Sequence, residues 1–282
     1  MSLFVCMHHV SNNMQNMIGY GKISDASKNG TLDYITQTKG KYPHLRKDNQ
    51  YTSRRDVRYV YKSLLGSEES DLSVGLGSDE GWFIGPELQL GHVLGHAIDN
   101  PVLLLKVGVG NRALGWDFLP PNIPGSREFN NAMYAGHGSC PPKFDISATP
   151  GLSSQCGCKD CTVVWTSKTD CIQNNCWCRA DGTCPKWYAG YQYDQDLESA
   201  KHVLGNLKEY FPGYKDQGFD VAGFVMWQGY RDTLSGAYAN FYEENLLAYI
   251  DSMRNDFADY TTSSLIPFVA ATIGHSGCDM DQ

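Results

Sequence analysis

The heptapeptide Pro101-Val-Leu-Leu-Leu-Lys-Val107 constrains the fold more than any other stretch of this chain. Its apolar residues do not alternate, so a strand formed from it needs cover on both faces, as in parallel sheets flanked by helices. Residues 2–7, 219–227 and 265–273 read as further strands of this kind. Amphipathic helical patterns separate them. Gly85-Pro86-Glu87 opens the first, and Leu88, Val93, Leu94 and Ile98 continue its apolar face up to Asp99-Asn100. Leu197, Ala200, Leu204, Leu207 and Phe211 mark a second over 194–211, and Tyr242, Leu246, Tyr249, Ile250, Met253 and Phe257 a third over 238–257. This alternation predicts the α/β class: a three-layer α/β/α domain in which 2–7, 101–107, 219–226 and 265–273 are neighbouring, mostly parallel strands.

With 282 residues, 41% of them hydrophobic, the chain has material for one large core, and a single domain over 1–282 is expected. The net charge is −8 and the basic residues form no long block, so nucleic acid is not an expected partner. The longest apolar runs fall far short of the roughly 20 residues of a membrane span, and none is predicted. The polar stretch 19–78 reads as long surface loops around a strand-like Asp56-Val-Arg-Tyr-Val-Tyr61.

Eight of the ten cysteines fall between Cys140 and Cys184, inside a Gly, Ser and Pro rich stretch, 125–186, that reads as a Cys-rich insertion within the domain. Only Cys158 and Cys161 have the Cys-x2-Cys spacing common in zinc modules, so disulfides are expected and no metal. Cys6 and Cys278 read as buried free thiols. Such cysteine density implies an extracellular or secretory location. The first residues, by contrast, have neither the charged n-region nor the apolar h-region of a signal peptide.

In a parallel sheet ligands bind beyond the carboxyl ends of the strands, which directs attention to the turns at 8–21, 108–114, 227–232 and from 274 onward. Gly108-Val-Gly110-Asn111-Arg112 places glycines where backbone N–H groups can approach an anion or a developing oxyanion. His8 and His9 are adjacent, a spacing that makes no metal site.

Four ordered blocks carry a resemblance to a known family. They are Asn16-Met17-Ile-Gly19-Tyr-Gly21; Gly85-Pro86-Glu87-Leu88; Pro101-Val-Leu-Leu-Leu-Lys106 with Gly110-Asn111-Arg112-Ala-Leu114 and Asp117-Phe-Leu-Pro120-Pro121; and Gly223-Phe224 with Trp227-Gln228-Gly229 through Asp232. Together they resemble the sialate O-acetylesterase-like domain, a carbohydrate esterase of the SGNH hydrolase superfamily. The resemblance implies an SGNH or flavodoxin-like sheet, hydrolysis of acetyl esters on sugars by a serine-type mechanism, an acetylated carbohydrate as partner and no cofactor. In that family the first strand ends in a turn resembling Gly-Gln-Ser-Asn-Met, whose Ser attacks the ester. Here ungapped alignment puts Gln15 at the nucleophile position, and a carboxamide cannot serve. The nearest hydroxyl is Ser11. The resemblance further implies an oxyanion and substrate-binding set of Gly110, Asn111, Gln228, Gly229, Arg231 and Asp232, with Arg231 where the family has an Asn. His275, just beyond the last strand, is the available base. The expectations are therefore an esterase scaffold with little or no turnover as written, a catalytically dead carbohydrate-binding protein on that scaffold, or an incomplete chain of an active esterase.

Overall fold

The structure is a computed structural model that describes residues 2–8, 26–27, 29–63, 66–76, 84–108, 110, 112–124, 127–129, 132–134, 136–138, 188–233 and 235–271, with backbone alone for 2–8, 132 and 133. Its strands are β1 (Ser2–His8), β2 (Arg46–Lys47), β3 (Gln50–Tyr51), β4 (Arg54–Ser63), β5 (Gly66–Leu72), β6 (Val102–Val107), β7 (Arg127–Phe129), β8 (Ala132–Tyr134), β9 (Asp220–Trp227) and β10 (Phe268–Ala270). The α-helices are α1 (Pro86–Ala97), α2 (Tyr191–Gly205), α3 (Leu207–Tyr210), α4 (Tyr230–Thr233), α5 (Gly236–Asn240) and α6 (Tyr242–Asp256).

Six strands form one sheet in the order β10-β9-β1-β6-β4-β5, and β2-β3 and β7-β8 make two small two-stranded sheets. The large sheet is mixed. β10 with β9, β9 with β1, β1 with β6 and β6 with β4 are parallel, while β4 and β5 form an antiparallel edge. The chain is thus of the expected α/β class.

Every residue of β6 is buried, which explains its unbroken apolar run. Its two faces feed separate cores. Leu103, Leu105 and Val107 pack with Tyr193, Ala200, Val203 and Leu204 of α2 and with Tyr249 and Met253 of α6. Val102 and Leu104 pack with Val57, Tyr59 and Leu72, against Leu90 and Leu94 of α1. At about 25 cal/mol per Å² of apolar surface removed from water, this two-sided burial is the chief force setting the sheet in place.

The polar stretch expected to loop over the surface does more than that. Leu32 and Leu45 are buried against Leu88 of α1, and β4 contributes Val57, Tyr59 and Val60 to the interior. The helical pattern over 238–257 is divided at Phe241, where the backbone leaves helical geometry between α5 and α6. Within the range read as an insertion, β7 and β8 are fitted to the domain: Arg127 donates to Asn245 Oδ1 of α6 at 2.8 Å and lies 4.4 Å from the Phe241 ring centre. The eight clustered cysteines lie outside the described residues, as do Cys278 and the side chain of Cys6. Among the described residues no helix is long and apolar enough to cross a membrane.

Candidate functional site

β1 lies between β6 and β9, so the chain departs to one side of β1 and returns on the other. The carboxyl end of β1 is therefore a topological switch point, where α/β sheets open a crevice for ligands. The turns that follow β6 and β9 stand on its two sides. Ladder pairs place Met7 beside Val107 on one flank and Met226 on the other.

Two side chains after β9 tie these turns together. Gln228 Nε2 donates to the backbone oxygen of Arg112 at 2.9 Å and also to Asp232 Oδ2. Asp232 Oδ2 accepts from Leu114 N at 3.0 Å and Asp232 Oδ1 from Gly115 N at 2.8 Å. Tyr242 of α6 donates its hydroxyl to the Gln228 carbonyl at 2.9 Å. Gly229 sits between them at φ 142°, a conformation that a side chain would strain, which lets the chain leave β9 and enter α4 within two residues. The 112–119 turn is pinned internally as well: Asp117 Oδ2 accepts from Ala113 N at 2.7 Å, and its other oxygen lies 3.8 Å from the Arg112 guanidinium.

Burial sets the electrostatics of this bracket. It pushes the Asp232 carboxyl up to about 6, against the lowering effect of the Gln228, Leu114 and Gly115 donors and with a further push from Asp117. Both Asp232 oxygens are committed to these bonds, so the structure gives this residue the task of holding two turns in register. Gln228 is likewise buried, and its Oε1 has no partner among the described residues. Gly110 and Arg231 are half-buried at the same edge, and Arg231 is engaged by other groups. Gln15, Ser11, Asn111 and His275 lie outside the described residues.

Three polar features of this edge escaped the sequence reading. Lys106 Nζ and Glu87 Oε1, 2.6 Å apart, form a buried pair between β6 and the start of α1. A Cβ on Gly85 would fall 1.8 Å from Glu87 Oε2, so glycine there makes room for the carboxylate. Asp194 near the start of α2 accepts the Tyr188 hydroxyl at 2.6 Å and lies 3.1 Å from His137 Nε2. Backbone bonds from Gly190 N to Trp116 O and from Gln192 N to Asp117 O then join α2 to the 112–119 turn. Gln192 and Asp196 are themselves buried on α2. Their spacing of four residues, on the stripe that continues to Ala200, was the available signal. Among the described residues no cluster of three His, Cys, Asp or Glu could hold a metal ion.

No family model matches the chain, and neither does any curated protein. Two solved structures resemble it. A protein from Arabidopsis thaliana is 12% identical with a TM-score of 0.43, the match covering 98% of this chain and 75% of that one. NanS is 10% identical with a TM-score of 0.42, the match covering 95% of this chain and 66% of NanS. Likenesses of this size assign neither a site nor a reaction.

Proposed function

We propose that this chain is a carbohydrate O-acetylesterase-like hydrolase in scaffold and ligand class, with a three-layer SGNH-type domain and a pocket for acetylated sugars beyond the carboxyl ends of β1, β6 and β9. The observation that carries the reading is the bracket of Gln228 and Asp232, which holds the turns after β6 and β9 on either side of the switch point. An acyl-transfer site needs donors held in place toward the ester oxygen; here the bracket would fix the turns that carry them, with Gly110 N–H facing that oxygen, Arg231 beside it and Gln228 acting through the turn it holds. Catalysis also needs a nucleophile with an aligned base. Gln15 stands at the family's nucleophile position, and this favours a second reading, a carbohydrate-binding protein without turnover. An oxyanion site and pocket alone leave only about 10³ to 10⁴ over the uncatalysed rate.

The test is hydrolysis of p-nitrophenyl acetate and of acetylated sugars, run beside binding of peracetylated glucose followed by ligand-observed NMR. Rates near background with measurable binding, weakened by Gln228→Ala, are expected. Robust turnover abolished by Ser11→Ala or His275→Ala would show a rebuilt catalytic set. The absence of both binding and turnover would sink the reading altogether. The density of cysteines between Cys140 and Cys184 supports an oxidising compartment as the setting.

A further inference from the structure

Gln192 and Asp196 occupy successive turns of the α2 stripe that faces the sheet, and both are buried. Polar groups are tolerated there only when their hydrogen-bonding capacity is met. One bond is plain: Gln192 Nε2 donates to Asp196 Oδ1. The other two oxygens of the pair, Gln192 Oε1 and Asp196 Oδ2, are buried without a partner among the described residues. Neither oxygen can donate while the carboxyl is ionised. A carboxamide and a carboxyl that already share one N–H···O bond form a two-bond ring when their remaining oxygens meet, and one proton on Oδ2 would make the two orphans a donor and an acceptor. The ring closes only with that proton in place.

We propose that Asp196 is a neutral carboxylic acid at physiological pH, closed into a two-bond ring with Gln192, and that it is a positioning residue for the turn after β6. Gly108 opens that turn with φ 106°, and its backbone N–H is directed at the Asp196 carboxyl. The ring thereby fixes the start of the Gly108 to Gly110 segment from beneath. Burial, raising the Asp196 carboxyl well above its usual range, agrees with this assignment and outweighs the Gln192 and Gly108 donors and the charge of Arg112, which oppose it; among the described residues Tyr249 of α6 also senses the same carboxyl. A neutral acid here keeps the turn insensitive to pH across the range in which exposed carboxylates titrate. The protonation state stands independently of the functional reading above; the effect on ligand rests on it.

Asp196→Asn matches the heavy-atom shape of the protonated form, with Nδ2 donating to Gln192 Oε1. The infrared difference spectrum between the native chain and this variant at pH 8 should contain the carbonyl band of a protonated carboxylic acid, unchanged at pH 5. A difference made of carboxylate bands alone would overturn the assignment. In the second arm, amide exchange at Gly108 should match the native chain in Asp196→Asn and accelerate at least tenfold in Asp196→Leu. Gln192→Leu, which opens the ring but keeps the carboxyl, serves if the former does not fold. Unchanged protection at Gly108 would refute the positioning role. Peracetylated glucose should bind Asp196→Asn as it binds the native chain. Binding lost with the Gly108 amide still protected would overturn the link to ligand, whereas a native chain that never binds counts against the functional reading and leaves the first two arms decisive.

Discussion

Replacing Asp232 with alanine is the sharpest probe of the bracket, because its cost must vary with pH in a calculable way. The carboxylate accepts from Leu114 N, Gly115 N and Gln228 Nε2, all buried. Its removal leaves three donors unpaired at about 1–3 kcal/mol each. Against this, the ionised group is itself costly in the folded state. Its carboxyl titrates at about 6 rather than at the 3.8 of an exposed aspartate, a difference of about 3 kcal/mol. A raised carboxyl contributes stability that is fully present below pH 3.8 and is lost as pH climbs through 6. The alanine variant has no such group. The stability gap between native chain and variant is therefore expected to centre on about 3 kcal/mol at pH 8, within a span of about 0–6, and to be about 1.4 kcal/mol larger at pH 5. Urea denaturation followed by tryptophan fluorescence at both pH values reads this directly. A gap that widens as pH rises, or a variant as stable as the native chain at pH 5, would refute the reasoning.

Removing Lys106 while keeping Glu87 strands a buried carboxylate, so Lys106→Met should cost about 3–5 kcal/mol in chemical denaturation, and adding Glu87→Leu should restore most of it. Gly115→Ala would put a methyl carbon 2.4 Å from Tyr238 Cδ1 and 2.9 Å from its Cβ. The Cβ is anchored to the backbone and cannot swing away, so a loss of about 1–3 kcal/mol and weaker binding of acetylated sugar are expected in thermal melts and ligand-observed NMR.

What the sequence disclosed follows from how each element is buried. β6 and β9 were legible because strands covered on both faces write continuous apolar runs. β5, Gly-Ser-Glu-Glu-Ser-Asp-Leu, was invisible: it is a sheet edge held by its ladder to β4, it buries Leu72 alone, and charged edge strands discourage further pairing. Helix α6 was placed by its apolar spacing, yet its buried side includes Asn245 and Ser252, while Leu247 is exposed. Asn245 belongs inside because Arg127, more than a hundred positions away, donates to it. At the site, motif position brought Gln228 and Asp232 into view but not their task, since two of the three donors to Asp232 are backbone N–H groups that leave no mark in side-chain identity. Gln192 and Asp196 were missed for a similar reason: a polar pair on a core-facing stripe looks like solvent-exposed helix until its proton is counted.

The clasp around Asp194 has a consequence for how this chain can change length. Tyr188 and His137 converge on one carboxylate, and Gly138 N donates to Ala189 O at 2.7 Å, so the chain enters and leaves 139–187 at a single point. Loop-closure entropy grows only with the logarithm of loop length. Exchanging that segment for a linker of about five residues should lower the closure cost by about 2 kcal/mol, and a melt of the exchanged chain reads how much else the segment contributes. The same joint brings the two ends of the segment together, the geometry a grafted domain with neighbouring termini requires.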